Sequence, residues 1–299
     1  MSRTGRDGTS EEVTDYFRRF AAQRDGAAPS TAAQLLSQAP CPGSGTNPAT
    51  LRHRSTSTRR RNAPGAPTAA AAPTAAVPTN ANEEAVRQRL LVIKSQKVNH
   101  SPMDPNKYAP LLPSVAPSKA NRKCLVLDVD ETLVHSSFNA AHDHDLHLQC
   151  PVNGSICHVY VAYRPHVHSF LEAVEKMFEI VIFTASVSAY CNPLMNRLDP
   201  SGTLGPLRLF REHCSTVSGS YVKDLSLLGR SLDQIAIVDN SPVAYLFQPR
   251  NAIPIVSWFD DPNDTELLKL LPMLENLARA PTVYDVLDLY NAQLPPMTT

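Results

Sequence analysis

No CxxC pair, no GxGxxG and no Walker A loop occur in these 299 residues, and Lys plus Arg balance Asp plus Glu at 28 each. Without an uninterrupted apolar run of ~18 residues, a transmembrane helix is not expected. Zero formal charge gives no global field for nucleic acid, so no direct nucleic-acid partner is expected. The missing glycine loops argue against nucleotide cradling. The six cysteines (Cys41, Cys124, Cys150, Cys157, Cys191, Cys214) lack paired metal-ligand spacing, and no signal peptide precedes them. Reduced intracellular thiols are therefore expected. Residue 2 is Ser, which excludes N-myristoylation, and "PMTT" is no retention or peroxisomal tag.

What is present is uneven. Roughly half of the 26 prolines fall before residue 120, in a stretch rich in Ala, Ser and Thr. Such composition buries too little apolar surface to offset ordering entropy. Residues 1–120 are therefore read as a largely disordered extension, and removing them is expected to leave turnover intact. Two short helices are expected inside it. The first, 10–21, opens on the capping pair Thr9 and Glu12 and repeats Val13, Tyr16, Phe17 and Phe20, a helix packed on the main domain or docking a protein partner. The second, 83–98, starts acidic and ends basic. Between them, Arg52, Arg54, Arg59, Arg60 and Arg61 form a basic tract that favours the nucleus over the cytoplasm.

From 121 to 294 the pattern is that of a folded domain. "CLVLD", "EIVIFT", "IAIVD" and "AIPIVSW" are near-continuous apolar runs separated by helical stretches, with "LRLF" as a further short strand. That alternation indicates a mainly parallel sheet covered on both faces, in a doubly wound α/β fold. A small β insert around an Asn153–Gly154 turn follows the first strand. Cys150 and Cys157 would face one another across it, without a disulfide. "HDHDLH", with His142, His144 and His147, reads as a solvated loop rather than a zinc site. The helix through Pro193 is expected to be interrupted or restarted there, and the terminal helix, capped by Asp264, to be kinked or broken at Pro272.

Each buried run ends on a polar group. The first ends on Asp128 and Asp130, the second on Thr184, the third on Asp239 and Asn240, and Lys223 lies between the second and third. Asp128, Thr184 and Asp239 are 56 and 55 residues apart, far enough for crossover connections. In such a sheet the carboxyl ends of the strands face one crevice. Carboxylates, a carboxamide oxygen, a hydroxyl and a lysine form a hard-oxygen set suited to Mg²⁺ and an anionic tetrahedral ligand. Turnover of a phosphate ester, a receiver-like phosphoacceptor and a non-catalytic scaffold remain open on the residues alone.

"DVDETLVHS", "YRPHVHSFL", "FTAS", "LFREHC", "YVKDLSLLGR", "VDNSP" and "SWFDDPNDTELLKLLP" resemble the motifs of the FCP/SCP-type phosphatases, a branch of the haloacid dehalogenase superfamily. These include the RNA polymerase II C-terminal-domain small phosphatases and the related Dullard type. The likeness covers about 121–290. It implies a Mg²⁺-dependent phosphoserine/phosphothreonine phosphatase acting on the polymerase tail or another phosphoprotein. Asp128 would be the nucleophile and Asp130 the acid and base, with Thr184 and Lys223 holding phosphoryl oxygens. The metal would rest on Asp128, the Asp130 backbone and the Asp239–Asn240 pair. Substrate contacts would come from Phe138, Val152, Val159, Val187, Tyr190 and Arg211. Cys150 stands where the family has a branched aliphatic residue.

Overall fold

The computed structural model describes residues 80–140, 143–152 and 155–294. The expected helix 10–21 and the arginine tract lie outside them. Strands β1 (Cys124–Leu127), β5 (Glu179–Phe183), β6 (Arg208–Leu209), β9 (Ile235–Asp239) and β10 (Ala252–Pro254) form one sheet, in the order β10-β9-β1-β5-β6. Every neighbouring pair in it is parallel. The chain builds outward from β1 through β5 and β6, then returns to the other side for β9 and β10. That reversal puts a topological switch point beside β1, where open α/β sheets bind ligands.

Unbroken apolar runs form these strands because both sheet faces are covered. Leu125, Leu127, Ile180, Ile182 and Val238 enter one core cluster. Their alternates Cys124, Val126, Val181, Phe183 and Ile237 enter the other. This is the period-2 alternation of a strand, applied to a sheet with no wet face. Helices α2 (Val167–Met177), α3 (Ser188–Leu198), α4 (Glu266–Arg279) and α5 (Tyr284–Gln293) contribute to the first cluster. A 3-10 turn at Leu225–Leu228 and the Leu111–Leu112 segment close the second. Among the described residues no helix is long and apolar enough to cross a membrane.

Neither proline ends its helix. Pro193 lies inside α3 and Pro272 inside α4. In α4 the buried Leu267, Leu270, Leu274 and Leu277 continue one stripe across Pro272. Packing of that stripe outweighs the lost backbone bond, which by itself costs about 3 kcal/mol. Asp264 does accept from the Glu266 amide (3.1 Å), although Thr265 is the formal cap.

The insert is a three-stranded antiparallel sheet, β2 (Val134–Ser137), β4 (Ser155–Tyr163) and β3 (Leu146–Val152) in the order β2-β4-β3. It begins inside the first motif rather than after Phe138. Cys150 and Cys157 sit opposite one another, and the Cys150 thiol is free.

Packing starts well before Asn121. The second helix, α1, runs Asn80–Ser95 and packs on α5, where Arg89 Nε donates to the Ala292 carbonyl (2.8 Å). His100 N donates to Phe247 O, Leu111 N donates to Leu227 O, and Leu112 is buried in the second core. Gly229, at φ 72°, leaves room for Pro110, whose Cβ would stand 2.6 Å from any added Cβ. Removing residues 1–120 therefore strips Leu112 and its neighbours from the second core. A chain starting at Asn121 should be at least about 2 kcal/mol less stable than one starting at Asn80. Denaturant melts of the two fragments check this.

Candidate active site

Asp128 follows β1 directly, its amide still bonded to Val238 O (3.0 Å) as if the strand continued. The chain then folds back. The amides of Thr132, Leu133 and Val134 all reach the Val129 carbonyl (2.8–3.3 Å), and Glu131 takes a left-handed φ of 58°. A non-glycine residue held there marks a loop fixed by its surroundings. The fixing group is Arg164, fully buried: it donates to Thr132 O (3.0 Å) and forks onto Asp264 with two 2.8 Å bonds. Its hydrogen bonds hold the Asp264 carboxyl below the usual carboxylate range, against a burial penalty.

Three strand ends and one loop then converge. Lys223 Nζ donates to Asp128 Oδ1 and to Asp239 Oδ2, each at 2.6 Å. Burial lowers the affinity of that amine for its proton, but the Asp128 and Asp239 charges outweigh it, and the ammonium is held. Burial and the Asp128 charge push Asp239 upward, against Lys223 and a 2.8 Å bond from the Ser241 amide. The other Asp128 oxygen accepts from the Thr132 hydroxyl (2.8 Å). Asn240 Oδ1 lies 3.3 Å from the same hydroxyl, and Asn240 Nδ2 donates to Ser257 Oγ (2.9 Å). The amide is thereby turned with its oxygen toward Asp128.

Asp130 has a different setting. Tyr190 OH donates to Oδ1 (2.8 Å) and Ser186 Oγ to Oδ2 (2.8 Å), with the Thr184 hydroxyl 3.4 Å from Oδ2. Ser136 joins through the Tyr190 hydroxyl. Burial, then the Glu131 and Asp128 charges, push the Asp130 carboxyl up to about 7, while the Tyr190 and Ser186 bonds pull it back. One carboxylate is thus paired with a cation and its neighbour is held near neutrality, the separation that assigns different tasks to two adjacent acids.

All six expected polar residues, Asp128, Asp130, Thr184, Lys223, Asp239 and Asn240, are brought together. Of the expected substrate positions, Val159 and Tyr190 enter one core cluster with Cys150, and Val187 packs against it. Val159, Cys150 and Tyr190 are fully buried, Val159 and Cys150 because they sit on the inward face of the insert sheet. Phe138 is 38% exposed at the end of β2. Val187 caps α3 and packs on the core. For Val152 the structure describes only its place at the end of β3. Arg211 donates to Ala185 O (2.7 Å) and lies over the Tyr221 ring, bracing the Thr184 strand end. Sequence reading missed Thr132, Ser186, Ser136 and Tyr190 as a hydroxyl network. Thr132 and Ser186 stood inside quoted motifs, whereas nothing in the sequence links Tyr190 to Asp130.

A family model for NLI interacting factor-like phosphatases matches residues 123–286, over half of the chain. A human CTD small phosphatase-like protein is 50% identical over 186 residues, 62% of this chain and 66% of its own length. A probable C-terminal domain small phosphatase of Dictyostelium discoideum is 50% identical over 191 residues, 64% of this chain and 62% of its own. The human carboxy-terminal domain RNA polymerase II polypeptide A small phosphatase 1 is 48% identical over 177 residues, 59% and 67%. The chain thus spans just under two thirds of the length of the first two relatives. The match contains every strand end that carries a site residue, and the chain belongs to the NLI interacting factor-like phosphatase family.

Proposed function

We propose that the chain is a phosphoprotein phosphatase that moves a phosphoryl group from a serine or threonine side chain to Asp128 and then to water. The observation that carries this is the contrast between two carboxylates two residues apart. Asp128 is charge-paired with Lys223, whereas burial and the Glu131 and Asp128 charges push Asp130 up to about 7 against its hydroxyl bonds.

In the first step an Asp128 oxygen bonds to phosphorus as the bond to the substrate oxygen breaks, and protonated Asp130 gives its proton to that leaving oxygen. In the second, the Asp130 carboxylate takes a proton from water as its oxygen attacks phosphorus and Asp128 leaves. Lys223 and Thr184 hold the phosphoryl oxygens, Lys223 as fixed charge in a buried site. Phosphate-monoester hydrolysis is among the slowest uncatalysed reactions, so positioning and charge must lower the barrier by roughly 20 kcal/mol or more.

The donor set suits Mg²⁺. Asp128, Asp239 and the Asn240 amide offer oxygens only, with the Asp128 and Asn240 oxygens both turned to Thr132. Among the described residues no three His, Cys, Asp or Glu side chains form a ready cage. A sparse oxygen set of this kind fits an ion that keeps several waters. Asp128, the Asp130 backbone carbonyl and the Asp239–Asn240 pair would hold it, and when bound it would neutralise phosphoryl charge. The polymerase tail is the first substrate to try, because a relative 48% identical is named for it. That substrate would place the chain in the nucleus.

Aryl-phosphate and phosphoserine-peptide turnover, with and without Mg²⁺, tests the reading. Absence of both activities with Mg²⁺ present would sink it. Tyr190→Phe sharpens the Asp130 assignment. Loss of that hydrogen bond raises the Asp130 pKa, so the alkaline limb, which needs the acid form, should move to higher pH. Peptide kcat should fall about tenfold. Aryl-phosphate kcat should fall less, since that leaving group needs little protonation.

A further inference from the structure

Beside the catalytic loop lies a cleft of about 1020 Å³, lined among others by His135, Asp143, Tyr160, Trp258, Phe259 and Asp260. It sits on the outward side of the insert sheet. In β2, Val134 and Ser136 face the core, while His135 and Ser137 face the cleft. Glu131, the residue after Asp130, joins it to the reaction centre: its carboxylate lies 3.4 Å from His135 Nδ1, and its carbonyl accepts from Trp258 N (2.9 Å).

The lining is acidic and aromatic. It holds Asp143, Asp145 and Asp260 and, among the described residues, no Lys or Arg. The Asp145 carboxylate is fixed by the Tyr163 amide (2.7 Å), whereas Asp143 and Asp260 are exposed and unpaired among the described residues. Phe259 is half exposed, with His135 edge-on to its ring. Tyr160 is stacked by His147 on the opposite strand. Carboxylates beside open aromatic rings are the setting in which a guanidinium or ammonium gains both charge pairing and cation–π attraction.

We propose that this cleft takes an arginine or lysine of the phosphoprotein chain, flanking the residue whose phosphate enters the site. The inference rests on the phosphatase reading above and adds a substrate preference to it. Phosphoserine peptides bearing one arginine, moved a position at a time along either flank, are compared with an alanine peptide on the full chain with Mg²⁺. Arginine at one flank position should lower KM about tenfold, the size of one such contact. Asp143→Asn combined with Asp260→Asn should remove that preference and leave aryl-phosphate turnover unchanged. No arginine preference, or one that survives both changes, overturns the inference while the phosphatase reading stands. If the two changes leave peptide kinetics alone but open the chain's own Arg52–Arg61 stretch to trypsin, the occupant is intramolecular and the inference fails. A full chain inactive on aryl phosphate overturns the phosphatase reading itself.

Discussion

Asp128→Asn should lower kcat for both peptide and aryl phosphate by at least ~10⁴-fold, because no neighbouring group can replace the attacking oxygen. The fold should survive. Asparagine fills the same volume, the Thr132 hydroxyl keeps an acceptor, and Lys223 keeps Asp239 as its partner at 2.6 Å. A melting curve close to the wild-type one, beside a flat assay, separates loss of chemistry from loss of structure. Retained turnover would remove Asp128 from the mechanism and leave the contrast between the two carboxylates without a chemical purpose.

Lys223→Met should damage both stability and activity. The lysine is buried and is the shared counter-ion of Asp128 and Asp239. Its removal leaves two buried carboxylates facing one another, a loss of about 3–5 kcal/mol at neutral pH in the absence of metal. The pH dependence follows from the sign of the shifts. Burial and mutual repulsion already push Asp239 upward, and Lys223 opposes that push. Without Lys223 the folded-state pKa rises further above the unfolded value. A carboxylate so raised penalises the fold increasingly from its unfolded pKa up to its folded one. Asp239 already sits near 7 beside Lys223, so the stability deficit should grow as pH rises from 7 to 9, read from melting temperatures of the two proteins without metal. A deficit that stays constant over that range would mean Lys223 acts by packing rather than by charge. Added Mg²⁺ should recover part of the stability and little of the activity, since the phosphoryl group still lacks its ammonium contact.

The polar centre was legible because Asp128, Thr184 and Asp239 stand at the ends of buried strands, and strand ends in a doubly wound sheet converge on one crevice. Asp128, Thr184 and Asp239 could be placed together because each closes an apolar run, at a spacing that permits crossover connections. Less visible was how each group is held. Tyr190 and Asp130 are 60 residues apart, and only the fold shows that the tyrosine hydroxyl reaches the carboxylate. The setting of the proposed substrate positions was less legible for a related reason. Val159 and Cys150 belong to strands whose inward residues enter the core, and that register was not fixed by the sequence pattern. Local chemistry also overstated the break at Pro193, since an apolar stripe carries α3 across it. Proline-rich composition likewise hid the 99–113 segment, where Leu111 and Leu112 pack on the second core between two prolines.

Mass spectrometry of acid-quenched protein, taken during steady turnover of a phosphopeptide with Mg²⁺, tests the central claim most directly. The account predicts a phosphoryl adduct that maps to Asp128, disappears when substrate is exhausted, and never forms in Asp128→Asn. Continuing turnover with no adduct, or an adduct on another residue, would contradict it.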